Sequence, residues 1–129
     1  MRTVKTRGPS FPKVDMNEPL TLEAGVRWQV ACGDSGHWRL GFYSPAETCP
    51  ADIEELEQHD CPELFMLQSG RVNLLVKIGG VIRDVALVPG QPILVTAPHC
   101  GYCPDGPHSG ITLVVERDEF DTSYEPFGE

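Results

Sequence analysis

At 129 residues the chain has room for one hydrophobic core and needs no disulfide framework to hold it, which predicts a single domain. Its 19 acidic and 10 basic side chains give a formal net charge of -9, with no basic stripe for a phosphate backbone, so nucleic acid is excluded as a partner. No apolar run is long enough to cross a bilayer, and the basic start (Arg2, Lys5, Arg7) leads into Gly8-Pro9-Ser10 instead of an apolar signal segment, predicting a soluble, cytoplasmic protein with no membrane partner.

From Met1 to about Leu20 the chain is Pro-rich and aperiodic, which predicts an extended N-terminal arm over 1–20 lying along the domain or a neighbouring subunit. Residues 21–129 then form one β domain. Val26–Ala31 and His37–Tyr43 read as strands, joined by Gly33-Asp34-Ser35-Gly36, whose glycines permit a hairpin turn. Ser44 to Asp60 is strongly acidic, and Asp52 followed by Glu55 has the spacing of a helix capping box, predicting one helical turn. Glu63–Leu67, Val72–Ile78 and Val81–Val88, separated by Gln68-Ser69-Gly70-Arg71 and Gly79-Gly80, predict a three-stranded meander closed by Pro89-Gly90. Ile93–Ala97 is a further short strand, Pro98–Pro107 a loop, Ile111–Arg117 the last strand, and the acidic tail an exposed one. Short strands at roughly ten-residue intervals predict an all-β sandwich or barrel, because closure removes unpaired edges.

Five cysteines (Cys32, Cys49, Cys61, Cys100, Cys103) are an odd number without an export signal, so free thiols are expected. Cys100 and Cys103 form a C-x-x-C, but no second pair gives zinc-ribbon spacing and no βαβ pattern surrounds it. No Ser-His-Asp order, phosphate-cradling loop or dinucleotide fingerprint occurs, which sets hydrolase and nucleotide chemistry aside.

The chemically richest stretch is Glu57 through Val72. His59 and Glu63, with Glu57 before them, offer imidazole and carboxylate to one divalent ion, a donor mix suited to iron, manganese, nickel or zinc. The competing reading is an acidic loop running into a buried strand. Glu57, His59 and Cys61 alternate, so an extended strand would turn all three to one face. His99 shares parity with Ile93, Val95 and Ala97 and would face the interior if they do.

This pattern resembles the cupin superfamily, jelly-roll (double-stranded β-helix) barrels with two motifs that place metal ligands in the barrel mouth. The first reads G-x5-H-x-H-x3,4-E-x6-G; here Glu63 is followed after six residues by Gly70, His59 takes the second histidine position, and Glu57 stands at the first. A second register puts His59 first and Cys61 second. The other motif reads G-x5-P-x-G-x2-H-x3-N: Pro89-Gly90 opens it, its histidine position falls on Gly101, and His99 lies two residues earlier.

The resemblance spans about residues 37–117 and implies a cupin-like jelly-roll barrel, a homodimer, and a metal site drawn from His59, Glu63, His99 and Glu57; Tyr102, which follows His99 in the same loop, is expected to line the pocket for a small-molecule ligand. His37 and His108 match neither motif. Two functions follow: a metal-dependent isomerase or oxygenase, or a non-catalytic module that binds a small ligand or assembles with partners without metal. Metal content separates them.

Overall fold

The structure is a computed structural model and describes residues 1–128. Eleven strands follow one another: β1 (Arg2–Thr6), β2 (Trp28–Asp34), β3 (Trp38–Tyr43), β4 (Glu55–His59), β5 (Glu63–Ser69), β6 (Asn73–Ile78), β7 (Val81–Ala86), β8 (Ile93–Val95), β9 (His99–Tyr102), β10 (Ile111–Arg117) and β11 (Phe120–Pro126). They form two antiparallel sheets facing each other, ordered β1-β11-β4-β9-β6-β7 and β2-β3-β10-β5-β8. No helix among the described residues is long and apolar enough to cross a membrane.

Period-two burial decides which residues look inward. On β5, Glu63, Phe65 and Leu67 are buried while Leu64 and Met66 are half-buried; on β10, Thr112, Val114 and Glu116 alternate in the same way. The apolar members of these faces join Val72, Leu74, Val76, Leu87 and Val95 in a core between the sheets. A second cluster, Ile53, Leu56, Leu75, Cys100 and Tyr102, lies on the opposite face of the six-stranded sheet, since its strand members have the other parity.

Several expectations are corrected. The three-stranded meander is a two-stranded one: β6 pairs with β7, whereas β5 pairs with β10 and β8 in the other sheet. Gly70 makes that crossing, with φ +66° and an added Cβ only 2.3 Å from the Ser109 carbonyl oxygen. The predicted helical turn is one 3-10 turn, Pro50–Asp52, and Asp52 accepts hydrogen bonds from the Thr48 backbone N–H (3.0 Å) and hydroxyl (3.1 Å), with no capping box to Glu55. Pro98–Pro107 is not all loop, because β9 runs through it with all four residues buried. The acidic tail is not a free end: β11 lies between β1 and β4 and buries Phe120 and Thr122, while Glu119 and Pro126 stay exposed. Within the N-terminal segment, Arg2–Thr6 pairs residue by residue with β11.

Candidate metal centre

Four strands from both sheets bring acid and imidazole groups to one point inside the barrel. On β4, Glu57 and His59 share the inward face. On β9, His99 lies opposite Glu57 in register. Glu63 opens β5, and Glu116 comes in from β10. His59 Nε2 is 2.9 Å from Glu63 Oε1, and His99 Nε2 is 3.0 Å from the same oxygen. Glu116 Oε1 is 3.5 Å from His59 Nε2, and Glu57 Oε1 is 3.6 Å from His99 Nε2. Two overlapping trios, Glu57-Glu63-His99 and His59-Glu63-Glu116, each have ligand atoms mutually within 4.8 Å.

The backs of these side chains are fixed by hydrogen bonds. His99 Nδ1 lies 2.9 Å from the Ala97 carbonyl oxygen; a carbonyl only accepts, so Nδ1 carries a proton, and in the neutral imidazole Nε2 offers its lone pair to the centre. His59 Nδ1 is 2.7 Å from the hydroxyl of Thr122, its register partner on β11, and its ring packs on Phe120 with centroids 4.4 Å apart. Arg39, across the β3–β10 ladder from Glu116, donates to Glu116 Oε2 from Nε at 2.7 Å. Arg39 also donates to the Ser10 hydroxyl at 3.1 Å.

The fronts are left without partners. Glu63 Oε1, His99 Nε2 and Glu116 Oε1 are buried and have no hydrogen-bond partner among the described residues. Glu63 and His99 come within 3.0 Å of each other without the angles of a hydrogen bond, which is how lone pairs sit when they converge on a third point. Leaving such atoms unmet costs free energy, more for charged groups. With neutral imidazoles, the carboxylates Glu57, Glu63 and Glu116 against the Arg39 guanidinium leave two negative charges, the complement of one divalent cation. The donor set therefore fits a divalent transition metal.

The local field is strong. Burial pushes the Glu63 carboxyl up, but the two imidazoles beside it more than reverse this and leave it at about 2. Burial alone would lower His99, and the Glu63 carboxylate overrides it, taking the imidazole up to about 9; His59 is raised in the same way. Burial, followed by the negative charge of Glu63, lifts Glu116 to about 7 in spite of Arg39. Burial also raises Glu57.

The centre opens on a cavity of about 750 Å³ between the sheets, walled by Trp28, Tyr43, Phe65, Phe120 and Tyr124 among others. Its arginines are engaged with its acids: Arg2 with Glu55, Arg27 with Glu47, and Arg39 with Glu116.

The structure thus brings together all four residues singled out in the sequence as ligands, and adds Glu116. Sequence reasoning missed Glu116, although an acid in the inward phase of Ile111–Arg117 was a signal for it. Tyr102 is placed elsewhere. Alternation on β9 turns it to the outer cluster, where its hydroxyl donates to Asp84 at 2.5 Å, and the cavity tyrosines are Tyr43 and Tyr124. Cys61 is buried but joins neither trio, so the second register is not assembled. Cys103 lies in the main core and Cys100 in the outer cluster; all five cysteines are free thiols. His37 sits exposed at the β2–β3 turn, and His108 Nδ1 lies 2.7 Å from the Ser44 carbonyl oxygen.

The sequence matches no protein-family model and no curated protein. Among solved structures, hydroxypropylphosphonic acid epoxidase from S. wedmorenis aligns with 81% of this chain and 59% of its own, at 14% identity and a TM-score of 0.60. A structure of FeII HppE covers 87% of this chain and 62% of its own, at 13% identity and a TM-score of 0.56. DMSP lyase DddQ from Ruegeria pomeroyi DSS-3 covers 99% and 63%, at 18% identity and a TM-score of 0.52. The chain therefore spans about three fifths of the length of each of these proteins. These likenesses in backbone, together with the two facing antiparallel sheets, show the fold: the chain is an all-β, cupin-like jelly-roll barrel.

Proposed function

We propose that this barrel is a metal-dependent enzyme in which His59, Glu63 and His99 hold one divalent transition metal and a small organic molecule enters the cavity beside it. The observation that carries the reading is the convergence of buried, partnerless ligand atoms on one point, their outer atoms already tied down. A barrel built to bind without metal would gain nothing from this costly arrangement. Enzymes among the structural likenesses, one of them an FeII form, support the same reading.

Two imidazoles and one carboxylate on one side of an ion suit non-haem iron(II), and manganese, nickel and zinc also take such donors. Such an ion, when bound, supplies Lewis acidity toward a coordinated oxygen or, if iron, a place for dioxygen. The chain's own residues do the rest. Ala97 and Thr122 fix the imidazole orientations, Phe65 and Phe120 shield the inner wall from water, and the aromatic mouth admits a small molecule. Isomerisation and oxygenation of a small oxygen-bearing substrate both belong to this chemistry.

Elemental analysis of protein purified without an affinity tag tests the reading. Near-stoichiometric transition metal is expected, and His59→Ala should abolish it. Full metal retention by the variant would overturn the assignment.

A further inference from the structure

We propose that Glu116 is a fourth protein ligand of the ion, completing a set of two imidazoles and two carboxylates, and that Glu57 stays outside it. The inference rests on the metal reading above and adds a residue outside both sequence motifs, on a different strand and in the other sheet from Glu57.

The two candidate carboxylates differ in what surrounds them. The Glu116 side chain is only 1% exposed, and that of Glu57 is 36% exposed. Arg39 holds Glu116 by one oxygen: its Nε and its terminal nitrogen both reach Oε2 at 2.7 Å, leaving Oε1 aimed at the centre. Ser10 ties the arrangement down, accepting from Arg39 through its hydroxyl oxygen (3.1 Å) while donating to the Asp118 carbonyl at 2.7 Å. Glu116 Oε1 is buried and has no partner among the described residues, and it belongs to the trio with His59 and Glu63. A carboxylate pinned by a guanidinium through one oxygen is preorganised to give the other to a metal, at little entropic cost. Glu57 borders the open cavity and, among the described residues, pairs with no arginine that would hold one of its oxygens. The position held by a histidine in the cupin motif is thereby replaced by a carboxylate from the facing sheet, and the harder donor set shifts preference toward iron(II) and manganese(II) over softer ions.

Calorimetric titration of EDTA-stripped protein with Mn2+ tests this. E116Q should lose about tenfold to hundredfold in affinity, the range seen when metal-site support is removed. E57Q should lose less than about threefold under the same conditions. Wild-type protein that binds no Mn2+, or His59→Ala that binds as well as wild type, would overturn the metal reading itself. Binding lost in His59→Ala but unchanged in E116Q, or weakened equally in E57Q and E116Q, would overturn the role of Glu116 alone. Should E116Q fail to fold by circular dichroism, Glu116→Asp and Glu57→Asp carry the same comparison, because retraction by one methylene withdraws a ligand oxygen and leaves the charge. The Co2+-loaded wild type supplies an independent readout: loss of Glu116 should alter its visible absorption, and an unchanged spectrum in E116Q counts against coordination.

Discussion

Replacing Arg39 by methionine removes the guanidinium that, among the described residues, pairs with Glu116 at the centre, and keeps most of the aliphatic stem. Arg39 and Glu116 are 10% and 1% exposed in their side chains, so solvent does little to screen the loss. Breaking a buried pair from one side costs about 3–5 kcal/mol, because the remaining carboxylate is left uncompensated. The packing of the guanidinium over Phe120, 4.9 Å from its centroid, goes as well. At this chain length roughly 3–5 °C of melting temperature accompany each kcal/mol, so the full cost is a fall of roughly 10–20 °C, reached only well above pH 7 where the wild-type carboxylate is ionised, with part of it already present at pH 8. The loss must also depend on pH. Glu116 sits at about 7 in the intact pair, and losing Arg39 raises it further. Between the two values the variant binds a proton that the wild type does not, and the difference in stability grows by about 1.4 kcal/mol per pH unit. Below pH 7 the carboxyl is neutral in both proteins and the cost shrinks to lost packing and hydrogen bonds. Urea denaturation of EDTA-stripped protein at pH 5, 7 and 8 reads this directly. A difference below about 1 kcal/mol at pH 8, or one constant across the series, would refute the placement of Glu116 as a buried, Arg39-dependent carboxylate.

Metal-free protein should itself be most stable near pH 4.5, losing about 1.4 kcal/mol per pH unit above it as the unfolded chain releases the Glu116 proton that the folded protein keeps. His99 (from 6.5 to about 9) and Glu116 (from 4.5 to about 7) both have raised values, so their contributions are complete at low pH and fade as pH rises through 7 and 9. Glu63, depressed from 4.5 to about 2, contributes above 4.5 and fades as pH falls toward 2. Thermal melts across this range check it, and a maximum near pH 9 would contradict the charge arrangement. Metal affinity should run the other way, strengthening from pH 6.5 to 8.5 because protons compete for His99 and His59; calorimetric titration at those pH values would expose a flat dependence. Gly70→Ala should destabilise by at least about 1–2 kcal/mol through the left-handed backbone alone, before the contact with the Ser109 carbonyl is added. A variant that melts with the wild type would show that the β5–β6 crossing tolerates a side chain.

The sequence by itself determined the strand-rich class, most strand positions from β2 to β8 and β10, and the grouping of Glu57, His59 and Glu63. These are local matters: alternation, glycine turns and ligand spacing are written over a few residues. It did not determine which strands pair. β5 and β6 are neighbours in the chain yet lie in different sheets, because burying both apolar faces requires strands to cross between layers, and spacing does not encode the crossing. β9 and β11 were hidden for a related reason: their cysteine, glycine, proline and acidic residues suggest a loop or tail, and tertiary pairing overrides that preference. Tyr102 lies three residues after His99, which suggests the pocket by proximity, but the odd-even phase of β9 sends it to the other face. Only the folded barrel joins Glu116 to His59 and sets Arg39 behind it, since residues 57 positions apart meet through the closure of two sheets and through nothing the local sequence contains.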